Sequence, residues 1–332
     1  MRRLLLFTAL SLSLLGALVY LHYANWSNTE FRLNQDVVLE FPRGSSLSSL
    51  TQQLANLGVL DQPLYEALYL KVLARQLNVA ASLQAGEYGI TSTQTPRQLL
   101  TMIARGQVLT YDLVIVDGIT TRDLFKQLQN DQRLQTLAVQ DVFELPAVLD
   151  FKLPFIEGAF LPETYQIRRG DTVASVLQRA HDALLAELSA AWQTRTFDSP
   201  VQNMHELLIL ASIIGKETGR ADERAQISQV FHLRLKKNMR LQTDPTVIYA
   251  IGEDFDGDIK RRDLSMDSPY NTYRYRGLPP SPIALPSRHA IYAAAQPSSG
   301  DFLYFVARGD GSSQFSRTLS EHNRAVATYQ LR

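Results

Sequence analysis

At 332 residues, 45% of them apolar, the chain is long enough for about two domains, each with a core of its own. Its 33 basic and 33 acidic side chains cancel, so no global field argues for nucleic acid or anionic lipid as a partner. The absence of cysteine excludes a disulfide framework, a thiol nucleophile, thiolate metal sites and a lipoprotein anchor through an N-terminal Cys.

Arg2 and Arg3 precede an uncharged run over residues 4–21. As a helix that run is about 27 Å long at roughly 1.5 Å per residue, near the ~30 Å of a bilayer core. No basic residue follows until Arg32, so the positive-inside bias puts the N-terminus in the cytoplasm and the rest outside. Tyr20, Tyr23 and Trp26 would form the outer aromatic belt. A cleaved signal peptide is the rival reading. Ala24 has the bulky His22 where a small residue should stand, which favours an uncleaved anchor over residues 1–26.

Residues 28–36 read as a short polar tether. Four similar units follow, each a short strand, a turn with a hydroxyl or acidic cap, and an amphipathic helix. Their strands are residues 37–41, 86–90, 113–116 and 165–167, with turns at Gly44-Ser45-Ser46, Thr95-Pro96, Gly118-Ile119-Thr120-Thr121 and Gly170-Asp171-Thr172. Thr95 before Pro96 is an N-cap and first-turn pair, and the helix over 95–104 turns Leu99, Leu100, Met102 and Ile103 inward. A strand–Gly–Ser/Thr–helix unit of this size resembles the LysM glycan-binding fold. A generic α+β scaffold that touches no ligand fits the same pattern.

Residues 207–219 read as a helix apolar on nearly every face, closed by Gly219 in a left-handed cap. Glu217 then sits where a dry core meets the surface, at the negative end of a helix dipole. Both circumstances raise a carboxyl pKa, which suits a general acid for glycosidic bond cleavage. Asp222 and Glu223 open the next helix as capping residues; Ile227, Val230, Phe231 and Leu235 form its inward face, and Arg234, Lys236 and Lys237 its basic end. Asp244 before Pro245 reads as the N-cap of a helix over 246–250 that Gly252 ends. Residues 268–283 hold Tyr270, Tyr273 and Tyr275 among Asn271, Arg274, Arg276 and prolines, a composition suited to a lid or to a groove in which flat rings meet sugar faces. Residues 302–307 and 314–316 form a hairpin across Gly309-Asp310-Gly311, and Thr318 with Glu321 a capping box. His205, His232, His289 and His322 lack metal-ligand spacing, and Ser212 lacks a nearby base, so these are structural residues; no metal or cofactor is expected.

The helix ending Lys216-Glu217-Thr218, the string Arg240-Leu241-Gln242-Thr243-Asp244-Pro245, Ser268-Pro269-Tyr270-Asn271-Thr272-Tyr273, Gly277-Leu278-Pro279-Pro280, Tyr304-Phe305-Val306-Ala307 and Phe315-Ser316 through Glu321-His322-Asn323 stand in an order that closely resembles the MltG (YceG-like) family of bacterial endolytic murein transglycosylases. The resemblance implies lytic cleavage of peptidoglycan strands with Glu217 as catalytic acid. It also implies substrate contacts from Gln242, Thr243, Asp244, Tyr270, Asn271, Tyr273, Phe315, Ser316 and Asn323. Two departures stand out: Gly215 occupies a position where members often carry a second glutamate, and Ala159 one where they often carry an aromatic.

The expected protein is therefore α+β: an N-terminal transmembrane helix (1–26), a LysM-like glycan-binding module with its connector (27–150) and an α/β catalytic domain (151–332). It would be a single-pass inner-membrane protein with a periplasmic catalytic domain, making 1,6-anhydroMurNAc ends and terminating nascent strands. Peptidoglycan glycan strands are the expected substrate and peptidoglycan synthases (penicillin-binding proteins) candidate partners. A muramidase that uses water and a non-catalytic glycan-binding scaffold for those synthases are the alternatives.

Overall fold

The computed structural model describes residues 2–330, with side chains from residue 6 onward; the Arg2-Arg3 pair on which the expected orientation rests lies outside the described side chains. The chain folds as two compact units, Met1–Tyr111 with Gln166–Arg169, and Asp112–Tyr165 with Gly170–Arg332. Residues 112–150, assigned from sequence to the first module, therefore pack in the second unit.

The first unit begins with helix α1 (Arg2–Asn28), whose Leu6–Asn28 stretch is long and apolar enough to cross a membrane. Strand β1 (Val37–Phe41), helices α2 (Leu47–Asn56) and α3 (Pro63–Gln76), strand β2 (Gly86–Ile90) and helix α4 (Pro96–Ala104) follow. β1 and β2 pair antiparallel with Leu39 opposite Tyr88, both fully buried, and Leu50, Leu54, Leu70, Leu73, Leu99, Leu100 and Ile103 close the core over them. Met102, expected inside, is half-buried beside that core. Ser46 caps α2 and Thr95 caps α4, the latter in a reciprocal capping box with Gln98. The expected tether is not free: α1 continues to Asn28, Phe31 is buried, and its N–H donates to the Gln94 carbonyl at 2.8 Å. Of the expected aromatic belt only Tyr20 is exposed; Tyr23 is buried and Trp26 half-buried, both against α3.

Past strand β3 (Tyr111–Val114) come α5 (Thr121–Gln129), a 3-10 turn (Val142–Ala147), β4 (Thr164–Ile167) paired to β3, and α6 (Val173–Gln193). Thr120 and Thr172 supply the caps of α5 and α6. Helices α7 (Met204–Glu217), α8 (Arg224–Lys236), α9 (Asp244–Ile251), the short α10 (Arg261–Leu264) and α11 (Arg288–Ala295) precede the hairpin β5 (Tyr304–Ala307) and β6 (Ser313–Ser316) and the last helix α12 (Leu319–Tyr329). Phe305 lies opposite Phe315 in the hairpin, and Thr318 with Glu321 forms the expected capping box.

α7 is the axis of the second unit. Every residue from 207 to 214 is buried, enclosed by α6, α8 and α11. Ser212 is structural: its hydroxyl donates to the Ile209 carbonyl (2.7 Å) and accepts the Ile283 N–H (3.1 Å), pinning the buried segment 281–286 to the helix. That segment presses on Gly158, whose φ is +73° and where a Cβ would fall 2.5 Å from Pro282 Cβ, so only glycine fits.

Candidate active site

α7 ends on Glu217. Thr218 takes an extended conformation (φ −148°, ψ 134°), and the expected left-handed cap at Gly219 does not form. The chain turns outward one residue earlier, which leaves Glu217 at the mouth of the core. The residue keeps part of its surface, but its carboxyl is walled in by protein, and the carboxyl carries the charge. Burial pushes its pKa up to about 7; a hydrogen bond from Thr243 opposes that rise, the nearby Asp244 carboxylate adds to it, and the Arg234 guanidinium opposes it.

Thr243 donates its hydroxyl to Glu217 Oε1. Its own position is over-determined. The Thr243 N–H donates to Thr272 Oγ1 (3.1 Å), the Thr246 hydroxyl donates to the Thr243 carbonyl (2.8 Å), and the Thr246 and Thr272 hydroxyls lie 2.8 Å apart. All three threonines are buried. Gln242, just ahead, takes a left-handed φ of +53° and donates its N–H to the Thr272 carbonyl, which turns the chain so that Thr243 meets Glu217. Asp244, expected as an N-cap, instead lies inside the first turn of α9, with Thr243 at the cap position. Its carboxylate accepts the Tyr273 hydroxyl at 2.6 Å. Burial and that carboxylate hold the Tyr273 phenol well above its ordinary range.

Arg234 is the residue that sequence reasoning misplaced. With Lys236 and Lys237 it reads as part of a basic helix end, yet it is buried. Its Nε–H donates to the Leu303 carbonyl (2.7 Å), its Nη1–H to the Leu241 carbonyl (2.6 Å), and its guanidinium lies 5.2 Å from the Tyr304 ring centre. Burial lowers its pKa, while the Glu217 charge is among the influences that raise it. The signal available beforehand was position alone: two turns along the face that carries Ile227 and Phe231.

The other candidates divide. Gln242, Thr243, Asp244 and Tyr273 come together around Glu217. Phe315 and Ser316 lie on β6, opposite Phe305 and Tyr304, and Tyr304 stacks on His322 beside the exposed Asn323. Arg234 links the two groups through Leu303 and Tyr304. Ser316 is buried with its carbonyl accepting the Leu303 N–H, so it shapes the hairpin. Asn271 is fully buried. Its amide donates to the Leu264 (3.1 Å) and Met266 (2.9 Å) carbonyls and accepts the Tyr273 N–H, so it braces the loop and presents nothing to a sugar. Tyr270 leans on the core with its hydroxyl 2.7 Å from that of Ser281, and Tyr275 is exposed. The tyrosine loop is thus a braced wall with Tyr273 turned to Asp244. Glu223, expected as a cap, accepts the Ser313 N–H at 2.9 Å and makes no cap bond, whereas Asp222 pairs with Arg220.

On the other side of α9 a cavity of about 450 Å³ is lined by Lys216, Tyr249, Ile248, Arg122 and Glu157. Glu157 accepts the N–H groups of Thr121 (2.9 Å) and Gly158 (3.1 Å) and the Tyr249 hydroxyl (3.2 Å), and burial raises its pKa. It therefore joins the start of α5 to α9, the helix that carries Thr243.

An acid held near neutrality at the end of a buried helix, with a hydroxyl donor and a nearby cation that favour its charged form and one further carboxylate that opposes it, has the environment that general acid–base catalysis requires. The chain belongs to the YceG-like family, which matches residues 39–328. It is 29% identical over 316 residues to a protein of Bacillus subtilis named endolytic murein transglycosylase, covering 88% of this chain and 84% of that one. A Streptococcus pneumoniae protein of the same name is 27% identical over 328 residues; this chain covers 58% of its length. A crystal structure of a YceG-like protein from Listeria monocytogenes is similar at a TM-score of 0.52 and 29% identity, over 88% of this chain and 99% of that one.

Asp244→Asn tests the electrostatics. Removing a negative charge that raises the Glu217 pKa should lower that pKa below about 7 and move the alkaline limb of the kcat/KM profile to lower pH. An unmoved limb, or one displaced upward, would mean that Asp244 does not act on Glu217.

Proposed function

We propose that this chain is an endolytic murein transglycosylase that cuts MurNAc–GlcNAc bonds within peptidoglycan strands and leaves 1,6-anhydroMurNAc ends. The observation that carries this reading is the Glu217 carboxyl, pushed up to about 7 at the end of α7. Protonated Glu217 gives its proton to the glycosidic oxygen as the bond from the muramyl anomeric carbon breaks. The carboxylate so formed is met by the Thr243 hydroxyl and the Arg234 cation, both of which favour the charged form. It then takes the proton from the muramyl 6-hydroxyl, whose oxygen closes onto the anomeric carbon. One residue serves as acid and then base because the nucleophile is intramolecular and has a large effective concentration.

Gln242, Thr243, Asp244 and Tyr273 would line the sugar site at Glu217, with Phe315 and Asn323 as contacts on the hairpin side. The strand–helix–helix–strand order of β1, α2, α3 and β2, with β1 and β2 antiparallel, supports the LysM-like reading of the first unit. α1 supports a single-pass inner-membrane anchor; in this reading the N-terminus is cytoplasmic, the remainder periplasmic, and the enzyme ends nascent strands beside peptidoglycan synthases.

A hydrolytic reading has one observation in its favour. Asp244 is a second carboxylate near Glu217, and a water-using muramidase needs a group to activate water. Its bond to Tyr273 occupies one oxygen. Digestion of purified sacculi in ¹⁸O-labelled water separates the two. The transglycosylase leaves no label at the new muramyl ends and fragments lighter by one water, whereas label at those ends would establish hydrolysis.

A further inference from the structure

We propose that the C-terminal half of α3 dips into the interface of the membrane that α1 crosses, with its Leu68–Val72 edge in contact with lipid. The proposal rests on the reading of α1 as a membrane span and adds a second point of contact to it.

α3 is apolar on two sides. One side packs Leu70, Leu73 and Ala74 into the core of the first unit. The other exposes Leu64 (95%), Leu68 (59%) and Val72 (42%), spaced four apart and so stacked along one edge. A helix on the surface of a soluble domain carries polar residues there.

The position of α3 beside α1 supplies the occupant. A cleft of about 480 Å³ between the two helices is lined by Gly16, Val19, Tyr20 and Tyr23 from α1 and by Leu68 and Val72 from α3. Gly16 lies inside the uncharged run that ends at Leu21. At roughly 1.5 Å per residue, the five residues between them measure about 7.5 Å, so α3 overlaps the end of the apolar span by that depth. Interfacial helices sink about 5–10 Å into the boundary of headgroups and acyl chains. A bilayer that accommodates α1 over its apolar length therefore meets the Leu68–Val72 edge as well.

The two helices are locked in this arrangement. The Tyr23 hydroxyl donates to Gln76 Oε1 (2.6 Å), the Trp26 indole N–H to Glu66 Oε1 (3.0 Å), and His22 Nδ1 lies 3.3 Å from the Tyr69 hydroxyl. The Tyr69 ring makes edge contacts with those of Tyr23 and Trp26. Lys71 and Arg75 stand on α3 at this level, with long stems and charged heads suited to lipid phosphates.

The absence of cysteine makes the test direct. The full chain, with a single cysteine at Leu68→Cys, Val72→Cys, Leu14→Cys (exposed on α1) or Gln52→Cys (exposed on α2), is labelled with a small environment-sensitive fluorophore. Each protein is placed in vesicles of zwitterionic phospholipid with or without brominated acyl chains. Brominated lipid should quench the probes at Leu14, Leu68 and Val72 by about half or more and leave that at Gln52 unaffected. Quenching at Leu14 with water-like emission at Leu68 and Val72 would overturn the docking of α3 and leave the anchor standing. Loss of quenching at Leu14 as well would overturn the anchor itself. Probes at Leu68 and Val72 shielded from both brominated lipid and aqueous iodide, with a signal that changes on diluting protein in lipid, would assign the edge to a second copy of the chain and overturn the lipid contact.

Discussion

Replacing Glu217 by glutamine should lower turnover on peptidoglycan strands by at least ~10²–10⁴, the usual contribution of general acid–base catalysis, while making the fold more stable. Both effects come from one feature, a carboxyl walled in at the end of α7. Glutamine keeps the shape and can still accept from Thr243, but it has no proton to give. The stability effect follows from linkage. The folded pKa, about 7, lies above the ordinary 4.5, so the protonated side chain's contribution is complete below about 4.5 and is lost as the pH rises through 7. Wild type and variant should therefore unfold alike at pH 4. At pH 8 the variant should gain about 3 kcal/mol, a figure that already includes what Thr243 and Arg234 return to the carboxylate. Melting curves at the two pH values check the sign. A variant that retains most of its activity removes Glu217 from its role, and one less stable at pH 8 than wild type removes the account of its acidity.

Arg234→Met should cost about 3–5 kcal/mol, because it leaves the buried Leu241 carbonyl and the half-buried Leu303 carbonyl without their charged donor and strips the Tyr304 ring of its cation. For a unit of this size that corresponds to roughly 10 °C or more in Tm. Arg234→Lys should recover little, since an ammonium group cannot reproduce the fork that spans two strands of backbone. In whatever fraction folds, the Glu217 pKa should rise, because a charge that favours its ionised form has gone, and the alkaline limb should move up. A melting temperature unchanged in either variant would show that the guanidinium holds nothing together.

The parts of the fold that were legible in sequence are those in which the cause is local. Ser46, Thr95, Thr120, Thr172 and Thr318 each accept the backbone N–H that their position in a strand–turn–helix unit calls for. β1, β2 and the terminal hairpin fall where alternation and turn residues put them, and the place of Glu217 at the end of a buried helix follows from the uninterrupted apolar run before it; that helix alone fits a solvated end as well, and the ordered strings downstream are what single the residue out. What escaped has a non-local cause. α3 shows no clean amphipathic period, because both of its sides are apolar, and no helix was expected over 63–76. Arg234 resembles its neighbours Lys236 and Lys237 in sequence and differs from them only in that Leu303 and Tyr304 arrive from about 70 residues away. Asn271 reads as a sugar-binding amide, yet carbonyls five to eight residues earlier claim it. The threonine cluster behind Glu217 needs residues 243, 246 and 272 together, and no single segment contains all three.

The placement of Glu217 at the tip of the most deeply buried helix has a further consequence for how this chain fails. Its acidity is produced by exclusion of water at the point where the core around α7 meets Thr243 and Asp244. A loosening of the packing there, by heat, by mutation or by incomplete folding, that lets water reach the carboxyl removes the cause of its raised pKa. The pKa then relaxes toward that of an ordinary glutamate, and the proton needed for bond cleavage is gone at neutral pH. Damage that reaches this end of the core should therefore cost activity at neutral pH before it costs the fold its secondary structure.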